Sequence, residues 1–540
     1  MLSISLCRAQ EPSIIPKPQF VETNVGYFPI SSSTKLLVKD KKLKKSAGYF
    51  NAYLQKYYGI KLTTGESAPA QNAIVLRLSK QDSDNTGAYK LEVNNTGVNI
   101  SGNTDTAVFY GLQTLIQLLP VYETTDKKAL NIPQITIKDE PRFSYRGAML
   151  DVSRFFQSAE FIKKFIDLLA LHKLNTFHWH LTDDQGWRIE IKKYPLLTEV
   201  GSIRNGTLIG HYRQGKSNDH LQRSGYYTQA EIRDIVQYAA DRYINVIPEI
   251  ELPGHSSAAI AAYPQLSCFP DEPSPVPEGF EWSGSKEGKQ VQQTWGIFAD
   301  VYAPTEYTFH FLQNVLDEVT ALFPAKYIHI GGDECPKEYW KRSAFCQNLI
   351  KEKNLKDEHG LQSYFVGKIE KYLNSKGRNI IGWDEILEGG LAPNATVMSW
   401  RGENGGIEAA RQKHKVIMTP NTHTYFANSQ LAIEDSATNG SFTPVQKVYN
   451  YDPVPQELSA GEQKYVQGVQ ATTFAEYITN PAKVEYAVFP RLAALSEVAW
   501  TKKENKDYPD FRIRMENQLH RYKMWKVNYC EKWDNQPDKR

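Results

Sequence analysis

The residues best suited to chemistry lie in the stretch Tyr327–Cys335, which reads YIHIGGDEC. Its first half is apolar, short and bounded by glycine, which predicts a buried strand. The two glycines permit a sharp bend or a close approach of the backbone to a ligand. Two adjacent carboxylates, Asp333 and Glu334, follow where the strand would end, and chemistry in parallel α/β folds occurs at such ends. An isolated Asp here could simply cap the next helix, so the other strand ends decide between the two interpretations.

Polar and aromatic side chains follow the other predicted strands in the same way. Arg154 follows the first strand, Asp183 the second and His255 the third. Further rings and a carboxylate follow the remaining strands, at Trp383, Trp400, Tyr425, Phe474 and Glu476. If the strands are parallel neighbours, these side chains form one concave pocket with aromatic walls and a carboxylate floor. Apolar rings with polar edges suit the recognition of a sugar.

Short apolar runs alternating with helical patterns position these residues. Eight strands are predicted, at Arg146–Val152, Thr176–Leu181, Ile244–Ile250, Tyr327–Ile330, Asn379–Trp383, Thr396–Trp400, Lys415–Thr419 and Val466–Ala471. Helical patterns separate most of them, and Pro481–Trp500 is predicted as the closing helix. The alternation predicts an α/β fold, a (β/α)8 TIM barrel with enlarged loops over residues 143–500.

Residues 11–142 are predicted to form a small α+β domain that packs against the barrel. Strands with period-two alternation are predicted at 36–38, 73–78, 89–93 and 98–101, with a hairpin turn at 94–97 and helices near 47–58 and 104–119. Residues 133–141 are predicted to be a connection. This domain offers no cluster of polar residues suited to catalysis. After the barrel, residues 501–540 are predicted to form a charged helical tail.

Composition narrows the class of protein. A chain of 540 residues exceeds one ordinary domain. Lys+Arg of 63 against Asp+Glu of 61 leaves a net charge of +2, so no overall field would attract nucleic acid or an acidic surface. Five irregularly spaced cysteines give neither a zinc signature nor a disulfide framework: Cys7, Cys268, Cys335, Cys346 and Cys530.

The N-terminal sequence and the hydropathy indicate where in or outside the cell the protein would be found. No apolar run approaches the length of a membrane span. Residues 1–10, MLSISLCRAQ, look like the remnant of a signal peptide, with a short apolar stretch but without most of the basic and apolar regions. We therefore expect an exported protein, periplasmic or extracellular. An arbitrary flexible terminus is the alternative.

Six segments closely resemble the family 20 glycoside hydrolases, the β-N-acetylhexosaminidases: MLDVSR, FHWHLTDDQGWR, PEIELPGH, HIGGDE, GWDE and FPRLAALSEVAW. The resemblance covers about 145–500, and the preceding α+β unit resembles that family's usual N-terminal domain. It implies an exo-acting enzyme that removes terminal β-linked GlcNAc, or GalNAc, from a glycan. It implies no cofactor and no catalytic metal.

The adjacent carboxylates suit the mechanism that the resemblance implies. Neighbouring residues have Cα atoms about 3.8 Å apart, so Asp333 and Glu334 are poorly placed to act from opposite faces of a sugar. The family is one of the substrate-assisted exceptions to two-carboxylate hydrolysis. In such enzymes the substrate's own 2-acetamido oxygen attacks C1 and forms an oxazolinium intermediate.

The resemblance assigns the reacting groups position by position. Glu334 corresponds to the general acid, which later acts as the base that activates water. Asp333 corresponds to the residue that orients the acetamido N–H and stabilises the positive charge. Tyr425 would hydrogen-bond the acetamido oxygen. Asp183 and His255 correspond to a relay that keeps Glu334 protonated at working pH; a buried structural ion pair is the alternative.

The resemblance also assigns the groups that bind the sugar. Trp383, Trp400 and Phe474 would wall the acetamido group and the ring. Arg154 would hold the 3- and 4-hydroxyls, for which its fork of donors is suited. Glu476 would accept from the 4- or 6-hydroxyl.

Two positions depart from the family's pattern. Ala427 stands where the family usually has Asp, and Phe474 stands where it usually has Trp. Both family side chains lie near the 4- and 6-positions of the sugar. Their loss removes a carboxylate that would repel an anion and adds room, so a 6-O-sulfated GlcNAc is a possible substrate. The alternative is that a neighbour such as Asn428 takes over the missing role.

Three rival functions remain open. His178 and His180 alternate along one strand, so both could face a metal in a metal-dependent hydrolase, although core histidines behind the pocket are the preferred interpretation. The departures would also fit a sugar-binding protein on a degenerate barrel. A glycosidase with two protein carboxylates would need Glu476 or Glu385 as nucleophile, and it would leave the acetamide-shaped pocket unexplained.

Overall fold

The computed structural model describes residues 12–67, 71–121, 129–434 and 436–534. Within them the chain forms a seven-stranded sheet followed by a closed barrel of eight strands. The expected leader at 1–10 and the end of the chain at 535–540 lie outside the described residues. No helix in the described part is long and apolar enough to cross a membrane.

The N-terminal domain is one mixed sheet with two helices. Its strands follow the order β1-β7-β5-β6-β4-β2-β3. Their bounds are β1 Phe20–Ile30, β2 Lys35–Val38, β3 Thr63–Gly65, β4 Ala73–Leu78, β5 Tyr89–Val93, β6 Gly97–Gly102 and β7 Leu130–Asp139. The helices are α1 Lys44–Tyr58 and α2 Asp105–Leu118. Helix α2 is buried almost throughout, because one side packs on the sheet and Tyr110 on another side meets Arg146 of the barrel.

Strand β7 corrects the expectation that residues 133–141 are a connection. Pro133 has no N–H to give to a sheet, so it is tolerated only where one neighbouring strand needs no bond from it. The structure pairs Pro133 with Tyr27 of β1 only, since the pairing with β5 begins at Ile135. Buried Ile132, Ile135 and Ile137 then anchor the strand in the core. The mostly exposed β1 and the short β3 were not predicted either, because they carry little apolar alternation.

All eight predicted barrel strands are present, with ends within two residues of the expected ones. In chain order they are β8 Tyr145–Asp151, β9 Thr176–His180, β12 Asn245–Leu252, β13 Tyr327–Gly331, β14 Asn379–Trp383, β15 Thr396–Ser399, β16 Val416–Met418 and β17 Val466–Thr473. Every neighbouring pair is parallel, and β17 pairs with β8 to close the barrel. A two-strand ribbon, β10 Thr182–Asp183 and β11 Gly186–Trp187, follows β9.

The helices that follow the strands form the outer layer. They are α3 Ala159–Leu171, α4 Leu196–Glu199, α5 Gln229–Ala240, α6 Ser257–Ala262, α7 Glu306–Leu322, α8 Glu338–Arg342, α9 Ala344–Lys353, α10 Glu358–Ser375, α11 Asn404–Arg411, α12 Asn421–Thr424, α13 Val445–Asn450, α14 Ala460–Gln463, α15 Pro481–Val488, α16 Arg491–Trp500 and α17 Tyr508–Met524. The expected single closing helix at 481–500 is wrong. It is two helices, because Pro490 lacks an N–H and disfavours helical backbone at Phe489.

Helix α17, in the predicted C-terminal tail, packs against both domains. Arg514 forms a buried ion pair with Glu497 of α16 at 2.7 Å. Arg521 donates to the carbonyl of Gln117 on α2 at 2.7 Å. These contacts join the C-terminal segment to both the barrel and the N-terminal domain.

Candidate active site

The carboxyl ends of the barrel strands surround one cavity of about 520 Å³. Nine of the ten residues predicted for the site line it: Arg154, Asp183, His255, Asp333, Glu334, Trp400, Tyr425, Phe474 and Glu476. Trp383 is the exception. It is 1% exposed and lies behind Phe474, with the two ring centres 5.9 Å apart.

A left-handed turn at the end of β13 presents the two adjacent carboxylates. Gly331 and Gly332 have φ of +64° and +91°, and Glu334 has φ of +43°. A Cβ on Gly331 would lie 1.7 Å from Oε2 of Glu251, so only glycine fits there. The turn places Asp333 inwards and Glu334 towards the opening, with side chains 12% and 34% exposed.

His255 connects the carboxylate pair to the floor of the pocket. Its Nε2 lies 3.4 Å from Oε2 of Glu334 and 3.7 Å from Oδ2 of Asp333. Its Nδ1 lies 2.9 Å from Oδ2 of Asp184 but 3.4 Å from Asp183. The nearer partner is therefore Asp184, which was not among the predicted residues, and Ser257 fixes Asp184 by donating from its N–H and its hydroxyl.

The charges around His255 favour an imidazolium. Burial lowers the pKa of His255, but the charge of Asp183 and the hydrogen bonds to Asp183, Asp184 and Glu334 raise the pKa well above its ordinary value. Burial in turn raises the pKa of Glu334, but the hydrogen bond and the charge of His255 outweigh it and hold that pKa below normal. The expectation that His255 raises the pKa of Glu334 is therefore opposite in sign to what these contacts produce.

Asp333 has the opposite electrostatic surroundings. Burial, together with the charges of Glu334 and Glu249, raises the pKa of Asp333 to about 7, against a lowering by His255. Its Oδ1 is buried and has no hydrogen-bond partner among the described residues. A buried acceptor without a partner is costly unless a ligand satisfies it. The site therefore holds an acceptor that is suited to an N–H or O–H of a bound molecule.

Arg154 is held rigidly on the other side of the cavity. Its Nη2 lies 2.7 Å from Oδ2 of Asp183, its Nη1 3.2 Å from Asp151, and its Nε donates to Gln185 at 2.9 Å. Asp183 therefore lies nearer to the guanidinium of Arg154 than to the imidazole of His255. Nearby, burial raises the pKa of Glu476 despite the charge of Arg154, and Oε2 of Glu476 also has no partner among the described residues.

Aromatic rings form the apolar wall. Trp400 and Tyr425 are stacked with centres 6.0 Å apart, and Tyr425 meets Phe474 at 5.7 Å. The backbone of Tyr425 pairs with Thr472 of β17, which fixes the ring at the barrel mouth. The Trp400 indole donates to Glu385 at 2.9 Å. The rings are thus oriented by hydrogen bonds behind the surface that a ligand would touch.

Several lining residues were not found from the sequence: Tyr212, Trp295, Ile297, Asn421, Asn439 and Ser441. Asn421 begins the four-residue helix α12 and the others belong to enlarged loops, where neither strand nor helix periodicity marks the inward side. Asn428, the suggested replacement, lines the cavity, whereas Ala427 does not. Asn428 donates to the carbonyl of Asn421 at 2.9 Å and to Thr443 at 3.1 Å. Its side-chain N–H groups and its main-chain oxygen, which accepts from Arg491, are thus used by the protein, and its side-chain oxygen is the acceptor left for a ligand.

Clustered histidines and carboxylates could hold a metal in four places of the described chain. The groups are His178–Glu249–His329, His180–Glu249–Glu251, Asp183–Asp184–His255 and His255–Asp333–Glu334. In the first two, Glu249 is surrounded by three fully buried imidazoles, with His178 at 3.1 Å, His329 at 2.8 Å and His180 in hydrogen-bond contact. The preferred interpretation of His178 and His180 as core residues agrees with this burial.

Two stretches of the chain match known families. Residues 143–503 match "Glycosyl hydrolase family 20, catalytic domain". Residues 11–140 match "Glycosyl hydrolase family 20, domain 2". The two matches fall on the barrel and on the preceding sheet domain, respectively.

Similar proteins have been named as hexosaminidases. A beta-hexosaminidase of Porphyromonas gingivalis is 45% identical over 534 residues, which cover 97% of this chain and 65% of that protein. A beta-hexosaminidase of Vibrio furnissii is 35% identical, over 90% of this chain and 76% of that one. The chain thus spans somewhat less than two thirds of the first relative.

Solved structures share the whole architecture. A GH20 exo beta-N-acetylglucosaminidase from Vibrio harveyi in complex with N-acetylglucosamine superposes with a TM-score of 0.85 at 32% identity, over 97% of this chain and 79% of that one. A beta-N-acetylhexosaminidase from Bacteroides fragilis gives a TM-score of 0.80 at 27% identity, over 97% and 99% of the two chains.

Proposed function

The chain belongs to glycosyl hydrolase family 20, and from this premise we propose that it is an exo-acting, retaining β-N-acetylhexosaminidase that releases terminal β-linked GlcNAc from glycans. The observation that carries the proposal is the buried Oδ1 of Asp333, which has no partner among the described residues and sits beside Glu334 in the cavity. An acetamido N–H is the kind of donor that this oxygen lacks. The names of the similar proteins support the same class of substrate.

Asp333 orients the acetamido group in the proposed reaction. When Asp333 is ionised, its Oδ1 accepts from the acetamido N–H, and its charge stabilises the positive charge that develops as the acetamido oxygen attacks C1. Tyr425, whose pKa is raised by burial, stays a neutral donor to the acetamido oxygen. The bond to the leaving oxygen breaks as the bond from the acetamido oxygen forms, and water later opens the oxazolinium.

Glu334 protonates the leaving oxygen. At neutral pH the proton of the Glu334–His255 pair resides mainly on the imidazole, because the pKa of His255 is raised and that of Glu334 is lowered. The 3.4 Å contact allows His255 to return this proton to Glu334 as negative charge builds on the leaving oxygen. In the second step Glu334 accepts a proton from the attacking water.

The remaining residues hold the sugar. Arg154, fixed by Asp151 and Asp183, presents its guanidinium to adjacent hydroxyls. Glu476 supplies the second acceptor without a partner among the described residues. Trp400 and Phe474 give the apolar surface against which the acetamido methyl and the ring pack.

The unmodified sugar is the proposed substrate, and 6-O-sulfated GlcNAc is the alternative. The Phe474 ring, which is smaller than an indole, favours space for a sulfate, whereas Ala427 does not line the cavity. Against this, Asn428 offers the cavity a carbonyl oxygen, which accepts from a hydroxyl but repels an anion. Export is a further proposal, and it is tested by fractionating cells that produce the full chain.

The test compares hydrolysis of p-nitrophenyl β-GlcNAc by the wild type, Glu334→Gln and Asp333→Asn. We expect kcat to fall by about 10²–10⁴ in both variants, and a thiazoline analogue of the intermediate to inhibit the wild type. Glu281→Gln, at an exposed ion pair with His220, is the matched control. Activity only on the 6-sulfated sugar would favour the alternative, and inactivity on both sugars would favour a sugar-binding protein.

A further inference from the structure

Two cysteines far apart in the chain meet in an apolar cluster that also contains Cys335, the residue after Glu334. The sulfur atoms of Cys268 and Cys346 lie 3.7 Å apart, although the residues are 78 positions apart in the chain. A disulfide has an S–S distance of about 2.0 Å, so bond formation requires the sulfurs to approach by only about 1.7 Å. A change of this size is within reach of side-chain rotation.

The backbone on each side of this pair is well anchored. Before Cys268, Ser267 pairs with Tyr302, and the indole of Trp340 donates to the carbonyl of Tyr302 at 3.0 Å. Cys346 lies in the first turn of α9, where its N–H donates to the capping hydroxyl of Ser343 at 3.3 Å. The closeness of the two sulfurs therefore follows from packed elements.

The surroundings favour a bond between the two sulfurs. Both thiols belong to an apolar cluster with Val301, Trp340 and Ile350, in which a disulfide would be as well accommodated as two thiols. Cys346 is buried and Cys268 is half-buried, so a reagent in solution can reach the second but not the first. An accessible thiol can react first with a disulfide in solution, and the buried thiol behind it can then close the bond.

The two thiols also differ in acidity. The hydrogen bond from Cys268 lowers the pKa of Cys346 against the effect of burial, and the Ser343 hydroxyl and the start of α9 act in the same direction. The same contact and burial raise the pKa of Cys268. The inner sulfur is thus the better nucleophile for closing the bond.

We propose that Cys268 and Cys346 form a disulfide when the protein meets a disulfide oxidant, and that this bond ties the loop walling the cavity to helix α9. The segment between Cys268 and Tyr302 carries Trp295 and Ile297, both of which line the cavity. Helix α9 follows the turn that bears Asp333 and Glu334. The bond therefore joins α9 to the segment that carries two lining residues of the cavity, Trp295 and Ile297, and it does not depend on the proposed substrate.

The chemistry balances with a small-molecule disulfide, RSSR, as oxidant. Cys268, the accessible thiol, loses its proton to the solvent as its sulfur attacks RSSR, which gives a mixed disulfide and releases one RS⁻. The Cys346 thiolate then attacks Sγ of Cys268 and releases the second RS⁻. The two protons lost by the cysteines end on the two RS⁻ groups, so two protein thiols are oxidised while RSSR is reduced to two RSH.

The test uses the full chain incubated with glutathione disulfide, then denatured, alkylated with N-ethylmaleimide and digested. We expect one cross-linked peptide pair containing Cys268 and Cys346, with a mass two hydrogens below the sum of the reduced peptides. The oxidised protein should have a Tm at least about 3 °C above that of the dithiothreitol-treated protein, because the cross-link restricts the unfolded chain. Complete alkylation of both cysteines after oxidation would overturn the proposal.

Matched variants separate this bond from other effects of a reductant. Cys268→Ser and Cys346→Ser should each abolish the Tm difference between oxidised and reduced samples. Cys530→Ser, in the C-terminal segment where the Cys530 amide donates to Phe489, should retain it. A cross-link to Cys335 or Cys530 instead, or an undiminished Tm difference in Cys346→Ser, would contradict the proposed pairing. If a serine variant fails to fold, the peptide map of the wild type decides alone.

Discussion

The indole N–H of Trp383 donates to Oε1 of Glu249 across 2.9 Å, inside the barrel and out of contact with solvent. The same carboxylate contacts His178, His180 and His329. His180 in turn contacts Asp183 at 2.9 Å, and Asp183 forms an ion pair with Arg154. One buried carboxylate thus supports both the aromatic wall and the guanidinium of the site.

Glu249→Gln should weaken both stability and activity. Removal of the negative charge leaves the buried imidazolium of His180 without its ionic partner, which costs about 3 kcal/mol of unfolding free energy. Burial lowers the pKa of His180, but the charge of Glu249 and the hydrogen bonds to Asp183 and Glu249 raise it to about 10. Without Glu249, His180 should lose its proton and hold Asp183 less firmly. We expect kcat/KM to fall at least tenfold, measured together with urea unfolding.

The control for this prediction is Glu281→Gln, at an exposed pair, which should change stability by less than about 0.5 kcal/mol. If Glu249→Gln keeps wild-type kcat/KM while losing stability, Glu249 has no positioning role in the site.

Asp333→Asn should stabilise the protein at alkaline pH although it lowers kcat. The folded pKa of about 7 lies above the ordinary value of 3.8, so the folded state binds more protons than the unfolded state between these values. Stability attributable to this group therefore falls as pH rises from about 4 to about 7, by up to about 4 kcal/mol. The Tm of the variant should exceed that of the wild type at pH 8, and the gain should vanish near pH 4. A pH-independent gain would contradict the assignment.

His255→Gln should move the alkaline limb of the kcat/KM profile to lower pH. In the wild type the Glu334–His255 pair loses its proton only at the raised pKa of the imidazole, whereas Glu334 alone loses it earlier. We expect the limb to shift by about one pH unit or more and kcat to fall about 10- to 100-fold. His359→Gln, at a half-exposed pair with Glu388, provides the control. An unchanged limb would show that His255 carries no proton for Glu334.

Asn428→Ala should lower kcat/KM for the unmodified β-GlcNAc glycoside about tenfold, because one hydrogen bond from a sugar hydroxyl is lost. Asn428→Asp keeps an acceptor, so its kcat/KM for the unmodified glycoside should stay near the wild-type value. Its added negative charge should lower kcat/KM for the 6-sulfated glycoside further. Asn314→Ala, which loses a contact to Tyr194 outside the site, is the control. Equal effects on both sugars would show that Asn428 does not face the 6-position.

Chelation should leave the activity unchanged. Glu249 and its three imidazoles are fully buried inside the barrel, and the proposed reaction uses Asp333, Glu334 and the substrate's own acetamido group rather than a metal. We expect the same kcat after dialysis against EDTA and no gain on adding Zn²⁺. Loss of activity that a divalent ion restores would favour the metal-dependent reaction.

The sequence by itself determined the barrel and most of the pocket. Each barrel strand is a short apolar run, and such a run is recognised from consecutive residues alone. All eight strands were therefore predicted with ends within two residues of the observed ones. The residue that ends a parallel strand must lie at the common edge, and for this reason Arg154, His255 and Glu334 could be assigned to one site before any distance was known. The sharp turn at Gly331-Gly332 could be predicted because glycine is the residue that best tolerates its positive φ angles.

The tertiary structure decided what depends on groups distant in sequence. Strand β7 could form around Pro133 because its neighbour β5 ends before that residue. Asp184 proved nearer than Asp183 to His255, and Trp383 was placed behind Phe474, because ångström-scale packing is not encoded in spacing. The lowered pKa of Glu334 and the raised pKa of Asp333 follow from burial and from charges on several strands. The meeting of Cys268 and Cys346 likewise required the folded chain, since 78 positions separate them in sequence.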